Sequence, residues 1–275
     1  MICFNVLKHD MVRGLGRWRY LIIVALSCFP LAEFNKLILP DNTTATWMDA
    51  VFYLFKGTHN IYVSSNIMEK VEVPVLWLLI LGSSLVINID YPHKDLYSTG
   101  QQVIIRCRRR KLWYVSKFVW NVASSILFFC LVMISAALYT VISGNILSVS
   151  PSTKLLEEIY YISTSRGLTN SQTVLIGLVL PFLSILALNT IQFTLSFYFK
   201  PILATLCCIG ICIFSIFTDS SFVLGNGAMT LRTASMILKG ESVSTIILTT
   251  MGVCVLCLAI GLHRFGQMDI LQREE

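Results

Sequence analysis

Long apolar runs recur along the chain, and nothing else in it limits the fold so strongly. A helix needs about 20 apolar residues to cross the hydrocarbon core of a bilayer. In lipid it must also satisfy its own backbone hydrogen bonds. Six candidate spans meet or approach that length: roughly Tyr20–Leu39, Val71–Ile89, Val115–Ile142, Val174–Phe199, Pro201–Phe217 and Val243–Leu262. Of the 275 residues, 55% are hydrophobic and only 13% charged. A soluble domain carries about 25% charged residues, so this chain cannot coat a water-facing surface. A soluble enzyme, a nucleic-acid binder and a disordered protein are excluded. The fold class expected is an all-α membrane protein of six transmembrane helices, with residues 1–275 forming one transmembrane domain.

Local details refine the spans. The third and fourth exceed the thickness of the core and should tilt or project beyond it. The fifth is short and follows the fourth through a tight turn at Lys200–Pro201; Pro at the first helical turn costs no hydrogen bond. The first span follows basic residues, as a signal peptide would. Its leading region is long and patterned and the apolar stretch runs on to Leu39, so a retained span is expected.

Orientation follows from the basic residues. With both termini on one side, that side holds 14 of the 21 Lys and Arg and the other holds 7. The acids reverse the bias, with 6 on the first side and 9 on the second. The positive-inside rule then places both termini in the cytoplasm of a multi-pass cell (plasma) membrane protein. The nine cysteines agree, since none falls in an expected outside loop, where disulfides form. Cys254 and Cys257 have a redox or zinc spacing, but lie mid-span with no second pair and read as packing residues.

Two cytoplasmic stretches are patterned. In residues 1–19, Phe4, Leu7, Met11, Leu15 and Trp18 form an apolar stripe opposite Asn5, His9, Arg13 and Arg17. That describes an amphipathic helix in the inner headgroup layer; plain flanking residues that fix topology are the alternative. Between spans two and three, residues 90–114 contain Tyr91, Pro92, His93, Lys94, Asp95, Leu96 and Tyr97, closed by Gly100. A basic run follows, with Arg106, Arg108, Arg109, Arg110 and Lys111. It can anchor the third span, bind anionic lipid or dock a cytoplasmic partner, and charge alone does not choose.

Outside, Trp47–Phe55 is aromatic and suits the outer interface. Residues 153–161 are expected to form a short helix starting near Ser152. Residues 218–242 are uncharged from Ser220 to Leu231. Such a stretch re-enters the membrane only where protein or a cavity satisfies its backbone; a surface loop is the other reading.

Familiar chemistry is missing. The chain has no phosphate-cradling G-x-x-x-x-G-K-S/T loop and no H-E-x-x-H, and its four histidines are scattered. Ion-coupled carriers place ionisable residues at mid-bilayer, and the middles of these spans have none. No catalytic residue, cofactor site or metal site is therefore expected in this chain.

A six-span protein without an energy source resembles the membrane (permease) subunit of type-two ATP-binding cassette (ABC) exporters. The resemblance rests on Arg106-Cys-Arg-Arg-Arg-Lys-Leu-Trp-Tyr-Val-Ser-Lys117 entering span three. It rests too on the ending His263-Arg-Phe-Gly-Gln-Met-Asp-Ile-Leu271, and on the layout of the whole chain. The chain departs from that family in lacking its frequent Pro before span six. The resemblance implies an interfacial N-terminal helix, a coupling helix within Tyr91–Gln102 and a re-entrant element before span six. It implies a second permease subunit, like or unlike, and a separate cytoplasmic P-loop ATPase carrying ATP and Mg. The cargo would be an amphipathic peptide, drug or lipid, as in small bacterial members. A membrane-embedded enzyme or protease, and a non-transporting sensor or assembly protein, are the alternatives.

Overall fold

A computed structural model of the protein describes residues 10, 11, 14, 19–38, 44–58, 73–89, 91–96, 100, 110–152, 168–220, 222–234, 236 and 240–267. These residues are mostly helical and include no strand; two isolated bridges join Thr46 to Ile146 and Thr233 to Glu241. In chain order the helices are α1 (Arg19–Ile38), α2 (Trp47–Leu54), α3 (Val75–Asn88), α4 (Tyr91–Asp95), α5 (Arg110–Ile142), α6 (Asn170–Leu195), α7 (Pro201–Phe217) and α8 (Val243–Gln267).

By length and composition, four helical stretches can cross a membrane: Val75–Asp95, Lys111–Ile142, Asn170–Leu195 and Val243–Gln267. The apolar α7 is shorter, at 17 residues, and α1 has 20 with Pro30 inside it. Local sequence explains several boundaries. Thr169 starts α6 with a capping box, its hydroxyl accepting from the Gln172 amide while the Gln172 side chain accepts from the Thr169 amide. Leu175–Val179 then widens into a π turn. Pro201 sits in the first turn of α7, as expected. The reversal between α6 and α7 takes more chain than the expected turn at Lys200–Pro201. It begins at Ser196, whose amide and those of Phe197, Tyr198 and Phe199 cap the last carbonyls of α6.

Helix α6 is the axis of the bundle and packs against α8, α5, α7 and α3, while α1 lies on α5 and α3. Small and polar residues along α6 allow this close approach: Ser184, Ala187, Asn189 and Thr190 are fully buried. Large apolar side chains remain exposed on the outer faces, among them Leu21 and Phe29 on α1, Leu203 and Phe214 on α7, and Leu248 and Val255 on α8. An outward apolar belt of this size is what lipid contact requires.

The long helices run alternately between two ends. One end gathers α4, the start of α5, the ends of α6 and α8, and the start of α7. The opposite end gathers α2, Ile146, the start of α6 and the chain after α7. There Leu224–Ala228 and Thr230–Arg232 form two buried 3-10 turns, the first packed against α6, α7 and α8.

Helix α2 is enclosed by protein: Met48, Val51, Phe52, Leu54 and Phe55 are buried in the main core. Gly177 makes room for it, since a β-carbon there would press on Met48 and Phe52. Thr46 caps α2, and Asp49 accepts from the Thr46 amide (2.9 Å) and hydroxyl (2.8 Å) and from the Ser152 amide (3.1 Å). The helix expected over residues 153–161 lies outside the described residues.

Candidate partner-coupling site

A five-residue helix cannot hold its shape alone, because isolated helices shorter than about 12 residues are marginal. Side chains anchor α4 instead. Asp95, at its last turn, pairs with Lys117 about two turns into α5, Nζ to Oδ2 at 2.7 Å. The same ammonium meets Asp10 Oδ1 at 2.5 Å, and Ser116 donates to Asp10 Oδ2 at 2.8 Å. Lys117 is wholly buried and Asp10 nearly so. Its ammonium also lies 5.3 Å from the centre of the Trp113 ring, within cation–π range. One buried cation thus joins three separate stretches of chain.

An apolar anchor sits beside the ionic one. Leu96 packs among Trp113, Tyr114, Phe193, Phe197 and Phe265. Trp113 stacks on Phe265 at 5.1 Å, and Phe193 meets Phe197 edge to face at 5.1 Å. Gly100 closes the segment against the Asp95 backbone so tightly that a β-carbon would collide with it. Gly14 is likewise pressed against Trp120. Charges removed from water are expensive unless paired, and losing one partner of a buried pair costs about 3–5 kcal/mol. The ion pairs and the aromatic cluster together make α4 a fixed extension of α5, α6 and α8.

The expected site residues divide accordingly. Pro92, Asp95 and Leu96 are buried against the bundle, while His93 is half-buried and Lys94 exposed. Tyr91 opens α4 and Arg110 opens α5. Tyr97, Arg106, Arg108 and Arg109 lie outside the described residues, as does most of the N-terminal stripe over residues 1–19. Lys117 stands in the sequence as the end of a basic motif; its role as hub, and Asp10 as its partner, come from contacts between residues 107 apart. Among the described residues, no three His, Cys, Asp or Glu side chains gather as a metal site would require.

A second buried charge sits at the other end. Arg232 is 1% exposed, and Nη1 donates to the Ser215 and Thr218 carbonyls and to Asn226 Oδ1, while Nη2 donates to the Ile216 carbonyl and Thr58 Oγ1. Its Nε lies 3.2 Å from Asp219 Oδ1. A cation on the last carbonyls of α7 is favoured by the helix dipole. It also ties the 3-10 turns to α7 and to the chain after α2. Between the two ends, the core carries uncharged polar links: Tyr20 to Ser124 (2.8 Å), Asn189 to Ser125 (2.9 Å) and Gln192 to Thr205 (2.6 Å).

No curated protein and no solved structure matches this chain. A family profile described as a protein of unknown function, DUF2705, matches residues 20–271, from the first turn of α1 to beyond the end of α8. Since that match covers nearly the whole chain, the protein belongs to the DUF2705 family.

Proposed function

We propose that this protein is the transmembrane subunit of an ATP-driven exporter of the ABC type, with both termini in the cytoplasm and ATP hydrolysed on a separate P-loop chain. All six long helices, α1 and α7 included, are spans in this reading. Asn88, Pro92 and Lys117 then lie at the cytoplasmic end, and the 3-10 turns form a re-entrant element at the outer end. The observation that carries the proposal is the buried Asp95–Lys117–Asp10 cluster. It fastens a short, partly exposed helix to α5 and to the chain at Asp10, as a part must be fastened if it is to pass force from a partner into the membrane.

The remaining parts support the same reading. The basic run Arg106, Arg108, Arg109 and Arg110 sits in sequence between that helix and α5, where it would meet anionic lipid and the partner. The exposed apolar faces of the bundle leave room for lipid and for a second permease subunit. An amphipathic peptide, drug or lipid is the cargo class, by resemblance to small bacterial exporters.

Asp95→Asn tests the anchor, because it removes the charge while keeping the shape. A charge-assisted bond contributes about 1.5–3 kcal/mol, so partner ATPase binding or transport should fall about tenfold or more. Charge reversal at Arg108 and Arg109 should act in the same direction. Unchanged binding and transport in both variants would remove the coupling role.

A further inference from the structure

A cavity of about 10 Å³ lies where α3, α4, α5, α6 and α7 meet. That is room for one water molecule and nothing larger. Its lining is uncharged and includes Asn88, Asn121, Asn189, Gln192, Ser196 and Pro92. Three of those side chains carry a polar atom with no hydrogen-bond partner in the protein: Asn88 Nδ2, Asn121 Nδ2 and Gln192 Oε1. They are 6%, 1% and 3% exposed, so bulk water cannot serve them. The other side-chain atoms of Asn88 and Gln192 are committed. Ser124 donates to Asn88 Oδ1, and Gln192 Nε2 donates to the Leu85 carbonyl (2.9 Å) and Thr205 Oγ1 (2.6 Å).

We propose that this cavity is a built site for a single structural water. The water accepts from the Asn88 and Asn121 amides and donates to Gln192 Oε1, which matches its bonding capacity. An ion fits less well. The unmatched atoms are two donors and one acceptor, a mixed set that water satisfies and that neither a bare cation nor a bare anion can. A buried polar atom left without a hydrogen bond is costly, and one water answers all three. The site joins α3, α5 and α6 beside Pro92, the second residue of α4, so hydration fixes the floor on which α4 rests. This inference stands whether or not the protein is an exporter.

Asn121→Leu decides it, since leucine fills the space without offering a hydrogen bond. If water is bound, leucine expels it and strands Asn88 and Gln192. Thermal unfolding of the full chain in detergent should then shift down by about 2–8 °C. If the cavity is dry, the substitution removes an unsatisfied amide and fills a void, and the midpoint should hold or rise; either result overturns the proposal. An experimental map that resolves ordered water gives a second reading independent of the variant. One peak within hydrogen-bond distance of Asn88, Asn121 and Gln192 supports the site, and an empty cavity or an ion-like peak contradicts it.

Discussion

Among single residues, Asp49 shows most directly how burial governs charge. It lies in helix α2, wholly buried. Burial raises its pKa, and the hydrogen bonds from Thr46 and Ser152 offset this only in part. The folded chain therefore holds the Asp49 proton more tightly than the unfolded chain. Between the unfolded and folded pKa values the native state binds more protons, so stability falls as pH rises through that window. Thermal unfolding across pH from about 4 upward should show this decline in the wild type and a flatter profile in Asp49→Asn; parallel profiles would contradict it. The signal for this residue was present in the sequence, because Thr46-x-x-Asp49 is a capping box before an apolar run. Lys117 and Arg232 offered no such signal. Their partners lie far away in sequence or are backbone carbonyls, and a charge near a span end looks the same whether it faces lipid headgroups or a buried carboxylate.

For the elements, periodicity and length carried most of the information. A helix has the ends expected at Pro201–Phe217, and the one beginning at Val243 runs on to Gln267. That extension has a packing cause: Phe265 is held by Trp113, Tyr114 and Phe197. The burial of Trp47–Phe55 in the core was not legible, because an apolar surface satisfied by protein has the same composition as one satisfied by lipid. Close approach of α8 to α5 depends on Gly261, where a β-carbon would overlap the Tyr114 hydroxyl. Gly261→Ala should destabilise the bundle by about 1–3 kcal/mol through overpacking. Tyr114→Phe in the same chain should recover part of that loss, because it deletes the nearest atom. An additive double mutant would mean that the two helices do not meet there.

As a whole molecule, the protein is a helical bundle with a buried charge cluster at each end and uncharged polar links between them. Lys117 fixes a short helix at one end, and Arg232 fixes the 3-10 turns at the other. Among the described residues, the polar links between those ends are amides and hydroxyls. Membrane character and helix order were legible from apolar runs and basic residues. A partner was not, because basic residues at the end of an apolar run read alike whether they serve topology, lipid or docking.

Purification of the full chain from its native membrane in mild detergent, followed by identification and quantification of the proteins that accompany it, tests the central claim most directly. The account predicts a P-loop ATPase in stoichiometric amount, lost or depleted in Asp95→Asn. Repeated recovery of the chain without any such ATPase, under conditions that keep its fold, would contradict it.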